Sequence, residues 1–242
     1  MSTIHFILQG KGGVGKSLVA SLLCQYLRQH GMPVSAIDTD PVNSTLTGYK
    51  ELEVKRLNIM DGDDIDQRRF DTLMEIIFQH PENGHIVIDN GASSFVPLCS
   101  YLKENDALAL LRNAGHRILL HSIFTGGQAI GDTAAGIDVL ATSFPETPLV
   151  IWLNRYFGDI ATDGKKFEEF KIYKERHSQF HAIIEIPHRK HSTFGKDLEE
   201  LYVKRSTFDS AINSSLPIMT RQRLKTFWND VQAVIDKANL IK

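Results

Sequence analysis

Gly10-Lys11-Gly12-Gly13-Val14-Gly15-Lys16-Ser17 is the stretch on which the reading of this chain turns. It satisfies the pattern G-x-x-x-x-G-K-[ST] and stands between a short apolar run, residues 4–8, and a helical pattern over residues 16–30. Strand before and helix after are the context that makes the pattern a phosphate-binding loop. Gly10, Gly12, Gly13 and Gly15 let the backbone curl, so that the N–H groups of the loop, Val14 included, face one anion. The helix beginning at Lys16 aims its positive end at the same place. Lys16 is thus expected on the β- and γ-phosphates of a nucleoside triphosphate, ATP being the simplest choice, with the Ser17 hydroxyl on Mg²⁺. Lys11 is a second lysine inside the loop. It reads either as a solvated surface charge or, since a cation in so tight a turn is costly without an anionic partner, as a contact to the triphosphate of its own site or of a facing subunit.

Carboxylates follow at the ends of later strands. Val34-Ser-Ala-Ile-Asp38-Thr-Asp40-Pro41 reads as a second strand ending in two acids, at the edge where open α/β sheets hold ligands. One acid would orient Mg²⁺ through its waters and the other the attacking water; an Asp-Pro turn is the plainer alternative. His85-Ile-Val-Ile-Asp89 is an apolar strand ending in an acid, and places Asp89 on Mg²⁺ together with Ser17. The small, polar Asn90-Gly-Ala-Ser-Ser94 that follows suits a loop sensing the γ-phosphate and lacks the G-x-S-x-G of a hydrolase nucleophile elbow. Asn154 ends a further strand and either offers its amide to an adenine edge or serves an ordinary turn.

Around these motifs, apolar runs at 4–8, 34–37, 85–88, 118–124, 149–153 and 182–186 alternate with helical patterns at 16–30, 69–79, 95–103, 128–142 and 167–177. Runs apolar on both faces argue for a doubly wound, mostly parallel sheet flanked by helices. Residues 53–59 suit an edge strand, and helices only are expected at 197–204, 208–213 and 220–237. The 242 residues are read as one domain, residues 1–242.

Composition narrows the partners. A net charge of −2 creates no global attraction to nucleic acid or an anionic membrane, so such binding would need a local patch. Cys24 and Cys99 have no metal-ligand spacing and form no disulfide framework, which fits a reducing compartment. The first residues lack a basic n-region with a long apolar stretch, and no run of 18 apolar residues follows. A cytoplasmic protein is expected. Leu224, Phe227, Trp228, Val231, Val234, Ile235 and Ala238 form an apolar helical stripe. Acids on its polar face favour a closing helix over a membrane-surface anchor, so any membrane contact is peripheral at most. His116 and His121 read as surface or core histidines, and the basic clusters at 188–191 and 221–225 as solvated charge.

Lys11-Gly-Gly-Val-Gly-Lys16-Ser17 resembles the deviant Walker A box, with its signature lysine, of the ParA/MinD ATPases. Asp38-Thr-Asp40-Pro41, Asp89 and Asn154 follow in that family's order, and the likeness extends to about Pro187. Several stretches, among them Leu57-Asn-Ile-Met60, Thr125-Gly-Gly-Gln128 and Ile218-Met-Thr-Arg-Gln-Arg-Leu224, look like those of family members that serve plasmid conjugal transfer. The resemblance implies an ATP-dependent homodimer in which Lys11 reaches the partner's nucleotide. It further implies that Asp40 positions water, that Asp38 supports Mg²⁺ or the switch, and that Asn154 and the backbone near Pro187 contact adenine. Slow hydrolysis would then time a dimer-to-monomer switch, with conjugation or secretion proteins as partners. Two stretches depart from the family. Val42-Asn43 stands where a glutamine is usual after the proline, and Asn90-Gly91-Ala92 where Thr-Pro-Pro is common. Two other functions fit the same scaffold. A partition ATPase would need a basic stripe for DNA, and a small-molecule ligase would turn over ATP only with its substrate. A reductase with a bridging cluster fits poorly, because Cys24 lies inside a helix.

Overall fold

The computed structural model describes residues 1–80, 83–161 and 164–241. The chain runs β1 (Thr3–Ile7), α1 (Lys16–Gln29), β2 (Val34–Asp38), β3 (Lys55–Arg56), β4 (Met60–Asp61), β5 (Asp64–Ile65) and α2 (Arg69–Phe78). It continues through β6 (His85–Asp89), α3 (Phe95–Glu104), α4 (Ala107–Asn113), β7 (Arg117–Thr125), α5 (Ile130–Ser143), β8 (Leu149–Asn154) and α6 (Lys171–Arg176). It closes with β9 (Phe180–Glu185), α7 (Lys196–Val203), α8 (Phe208–Ile212) and α9 (Ile218–Asp236).

Seven strands form one parallel sheet in the order β3-β2-β6-β1-β7-β8-β9, so β1 and the loop it feeds are central. Alternation along β1 builds a core on each face. Ile4, Phe6 and Leu8 join one core with Phe70, Leu98, Ile137 and Leu140, whereas Ile7 joins the other with Val19, Leu23, Phe227 and Trp228. The second face also carries His5. The expected doubly wound parallel sheet is therefore present, and the apolar stripe of α9 closes one face of it: Leu224, Phe227, Trp228, Val231, Ile235 and Ala238 are all buried. No helix of the described residues is long and apolar enough to cross a membrane.

Local departures from the sequence reading have local causes. The edge strand expected at 53–59 shrinks to Lys55–Arg56, because Asn58 accepts from Met60 N (3.0 Å) and the chain turns into a β4–β5 ribbon. Asp106, at φ 47°, breaks the chain after α3 and starts α4, which the periodicity missed. The helix expected at 167–177 is interrupted where Phe170 is extended, leaving α6 between short 3₁₀ turns. The basic clusters are not wholly solvated: Arg189 pairs with Asp230 and Arg223 with Asp197, pinning the segment around α7 to α9.

Candidate nucleotide site

The loop after β1 is anchored from below. Gln9 is fully buried, and its Nε2 donates to Ile123 O (3.0 Å), Thr133 O (3.1 Å) and Ser122 Oγ (3.3 Å). Its Oε1 lies 3.4 Å from the Lys11 amide. Gly13 (φ 75°) and Gly15 (φ 103°) take left-handed conformations that favour glycine. α1 begins with no side chain capping its first N–H groups, so those donors are available to an anion. Lys16 is buried, and its Nζ folds back to donate to Lys11 O at 3.0 Å. Burial lowers its pKa, against the raising influence of Asp89 and Asp40.

Lys11 does not sit free: its Nζ lies 2.8 Å from Oδ2 of Asp132, in the first turn of α5. Gln9 and Lys11 thus tie the loop to adjacent positions of one helix, Thr133 and Asp132. A Cβ on Gly136 would come within 2.0 Å of Gln9 Oε1, a measure of how closely α5 lies against the loop.

The three aspartates are placed together but in different environments. Asp38, fully buried, accepts from Asp40 N (3.0 Å) on Oδ1 and from Thr47 N (3.1 Å) and Thr47 Oγ1 (3.0 Å) on Oδ2. Burial raises its pKa despite these bonds. Asp40, half-buried, accepts from Val42 N (2.8 Å) and Asn43 N (3.0 Å) through Oδ1 alone, so its loop coils around one oxygen. Asp89 is 1% exposed, and neither of its oxygens meets a donor in hydrogen-bonding geometry among the described residues. Burial pushes its pKa up to about 7; the nearby Ser17 hydroxyl opposes this, Asp38 reinforces it, and Lys16 opposes it. A buried carboxylate with unsatisfied oxygens beside a serine hydroxyl is a donor set that fits a hard cation such as Mg²⁺. Among the aspartates, Asp89 with Ser17 fits that ion best, since both oxygens of Asp38 are already engaged.

Asn154 is buried and engaged at both ends: Nδ2 donates to Val14 O (3.0 Å) and Oδ1 accepts from Tyr156 N (3.1 Å). It thereby ties β8 to the loop, keeping one N–H and one lone pair for anything else. Asn154 and Pro187 line one open cavity of ≈ 770 Å³ with Gly13, Gly15, Leu18 and Phe227. Gly13 and Gly15 form part of its wall, so the cavity adjoins the phosphate loop. The motifs named in the sequence, Gly10 through Ser17, Asp38, Asp40, Asp89, Asn154 and Pro187, all lie at the carboxyl edge of the sheet. Sequence reasoning missed Gln9, Thr47 and Asp132. Only Gln9 carried a signal, as a polar residue closing an apolar strand.

A model of the CobQ/CobB/MinD/ParA nucleotide binding domain matches residues 5–237, and the chain belongs to that family of P-loop nucleotide-binding proteins. Protein TraL of Escherichia coli is 49% identical over 243 residues, covering 100% of both chains. Protein MobD of Acidithiobacillus ferrooxidans is 26% identical over 241 residues, covering 97% of this chain and 96% of its own. Among solved structures, the MinC:MinD cell division protein complex of Aquifex aeolicus matches with a TM-score of 0.54 at 14% identity, over 96% of each chain. MinD of the same organism gives 0.52 at 15% identity, over 96% of this chain and 97% of its own. The ParA/MinD resemblance holds at the level of family and fold, and the family match runs on past Pro187 into α9.

Proposed function

We propose that this chain is an ATP-binding and slowly hydrolysing dimerisation switch of the ParA/MinD type that assists plasmid conjugal transfer from the cytoplasmic side. The observation that carries the nucleotide reading is Asp89, buried with unsatisfied oxygens beside Ser17 and the Lys16 loop. The loop amides and Lys16 would hold the phosphates, Ser17 and Asp89 the Mg²⁺, and Asn154 with the backbone near Pro187 the base. Mg²⁺ bound there would neutralise phosphate charge. Asp40, with one oxygen turned to its own loop and the other uncommitted, would orient water, while Asp38 holds the 38–47 segment in shape. Lys11, now paired with Asp132, would exchange that carboxylate for the nucleotide of a facing subunit. The conjugal setting rests on the identity to TraL, with relaxosome or secretion proteins as partners.

Molecular mass in solution tests this directly, by light scattering without nucleotide, with Mg-ADP and with Mg-ATP, using Asp40→Ala to slow hydrolysis. A dimer that forms only with Mg-ATP is expected. A mass indifferent to nucleotide overturns the switch and leaves a nucleotide-dependent ligase or a static scaffold. Salt-sensitive binding to random DNA would move the protein to the partition class.

A further inference from the structure

Asn90 follows Asp89 directly and is 1% exposed. Its Oδ1 accepts from Thr39 Oγ1 (3.0 Å) and Ser94 Oγ (2.9 Å), and its Nδ2 donates to Gly91 O (3.0 Å). These contacts bear on one neighbour. Thr39 immediately precedes Asp40; its amide donates to Asp89 O at 2.9 Å, and its hydroxyl is shared between Asn90 Oδ1 and Asp89 O (3.1 Å). Gly91 abuts Asp40: a Cβ there would lie 2.7 Å from Asp40 Cγ and 3.1 Å from its Cα. Ser94 adds a second hold, sharing its hydroxyl between Asn90 Oδ1 and Gly91 O (3.2 Å). One buried amide therefore grips the residue before Asp40 and the backbone wall against which Asp40 rests.

We infer that Asn90 is a positioning residue that couples the loop after β2 to the loop after β6 and sets the place of the Asp40 carboxylate. The inference rests on Asp40 orienting water, as proposed above. Gly91 belongs to the same device, because any larger residue would displace Asp40 from the space that Asn90 holds open. A carboxylate misplaced by about 1 Å can lose on the order of a hundredfold in rate, so a group that acts through the place of Asp40 can govern turnover. Both departures from the usual family sequence, at 42–43 and 90–92, fall in the loops so joined.

Two measurements test it. In steady-state turnover, Asn90→Ala is expected to lower kcat about tenfold or more, with KM for Mg-ATP held within about twofold. Thr39→Val should cause a smaller loss alone and, combined with Asn90→Ala, less than the sum of the two single losses, because the variants share one contact while the Thr39 hydroxyl also reaches Asp89 O. The second measurement needs no turnover. In the nucleotide-free chain, hydrogen exchange at residues 39–47, where the Thr39, Asp40 and Thr47 amides are bonded, should quicken in Asn90→Ala while α1 and β1 keep their protection. If Asn90→Ala fails to fold, Ser94→Ala removes one arm only and should quicken the same residues more weakly. Unchanged exchange at 39–47, uniform loss of protection, additive losses in kcat, or a rise in KM at constant kcat would each overturn the inference. A wild-type chain that binds but never hydrolyses ATP overturns the proposed switch instead, and the exchange data still decide whether Asn90 joins the loops.

Discussion

Gly15 answers two demands at once. Its φ of 103° lies where side chains are disfavoured, and a Cβ there would meet Asn154 Nδ2 at 2.9 Å. Gly15→Ala should therefore keep the sheet and spoil the loop, lowering Mg-ATP affinity tenfold or more, from a left-handed penalty of about 1–2 kcal/mol plus the displacement of Asn154. Titration calorimetry reads this, and an unchanged Kd would show that the loop reshapes before binding. Asp89 makes the opposite kind of prediction. A buried carboxylate that meets no donor in hydrogen-bonding geometry, only a nearby Ser17 hydroxyl, weakens the ligand-free fold, so Asp89→Asn should raise its Tm by several degrees, at about 2–4 °C per kcal/mol for a chain of this size. The same variant should gain little further Tm from Mg-ATP. A lower Tm without ligand would mean that Asp89 is satisfied in solution by a partner such as water. The glycine pattern and the acids were legible because they are chemical necessities of phosphate and Mg²⁺ binding. The Thr47 grip on Asp38 was not, since eight residues lie between the two.

Strands β1, β6 and β7 are joined by side chains as well as by backbone. Trp152 Nε1 donates to His121 Nδ1 (2.9 Å), His121 Nε2 meets His5 Nδ1 (2.9 Å), and His5 Nε2 meets His85 Nδ1 (2.9 Å). Indole is only a donor, so each imidazole in turn must accept on Nδ1 and donate from Nε2, which fixes three tautomers in one direction. Burial holds His121 down to about 3 and His85 to about 4, and His5 well below its ordinary 6.5. The sign follows from linkage. The unfolded chain takes up protons below about pH 6.5 that the folded chain refuses, so this contribution is complete above that pH and is lost as pH falls toward 3. Each such histidine contributes up to about 1.4 kcal/mol per pH unit, so urea midpoints should fall steeply from pH 6.5 to 5. His121→Leu, which removes one titrating ring, should flatten that slope even if it lowers stability at pH 7. On the same face, Trp228 of α9 stacks on Phe208 with centroids 4.9 Å apart and planes 9° from parallel. Trp228→Ala is expected to remove about 3–5 kcal/mol, measured by chemical denaturation, because α9 covers the sheet there. A loss under about 1 kcal/mol would mean that α9 closes the core without holding it.

At the scale of the whole molecule, the ion pair between Lys11 and Asp132 joins the loop to α5 and bears on assembly. If Lys11 must leave Asp132 to reach a second subunit, Asp132→Ala should lower the protein concentration at which Mg-ATP produces a dimer. The change should be modest, about two- to fivefold, because the pair is about half exposed and such pairs contribute roughly 0–1 kcal/mol. Lys11→Ala should abolish the dimer while leaving nucleotide binding within about threefold. Sedimentation velocity distinguishes these outcomes, and a Lys11→Ala chain that still dimerises would remove the cross-subunit role.

The order of short apolar runs and helical patterns, the phosphate loop and the acids at strand ends were determined by the sequence itself. Each is a local rule, set by residue type and spacing within a few positions: two-faced burial for parallel strands, glycine for a tight anion-binding turn, acid for cation. Tertiary structure decided what depends on distant residues meeting. It placed Asp132 on Lys11 across 121 positions, joined three histidines from three strands into one directed chain, and closed Asn90 around Thr39 and Gly91. It also separated Asp38 and Asp89, which look alike as strand-end acids but differ in whether donors engage them in hydrogen-bonding geometry. Burial and hydrogen-bond partnership are properties of the packed chain, and no spacing rule carries them.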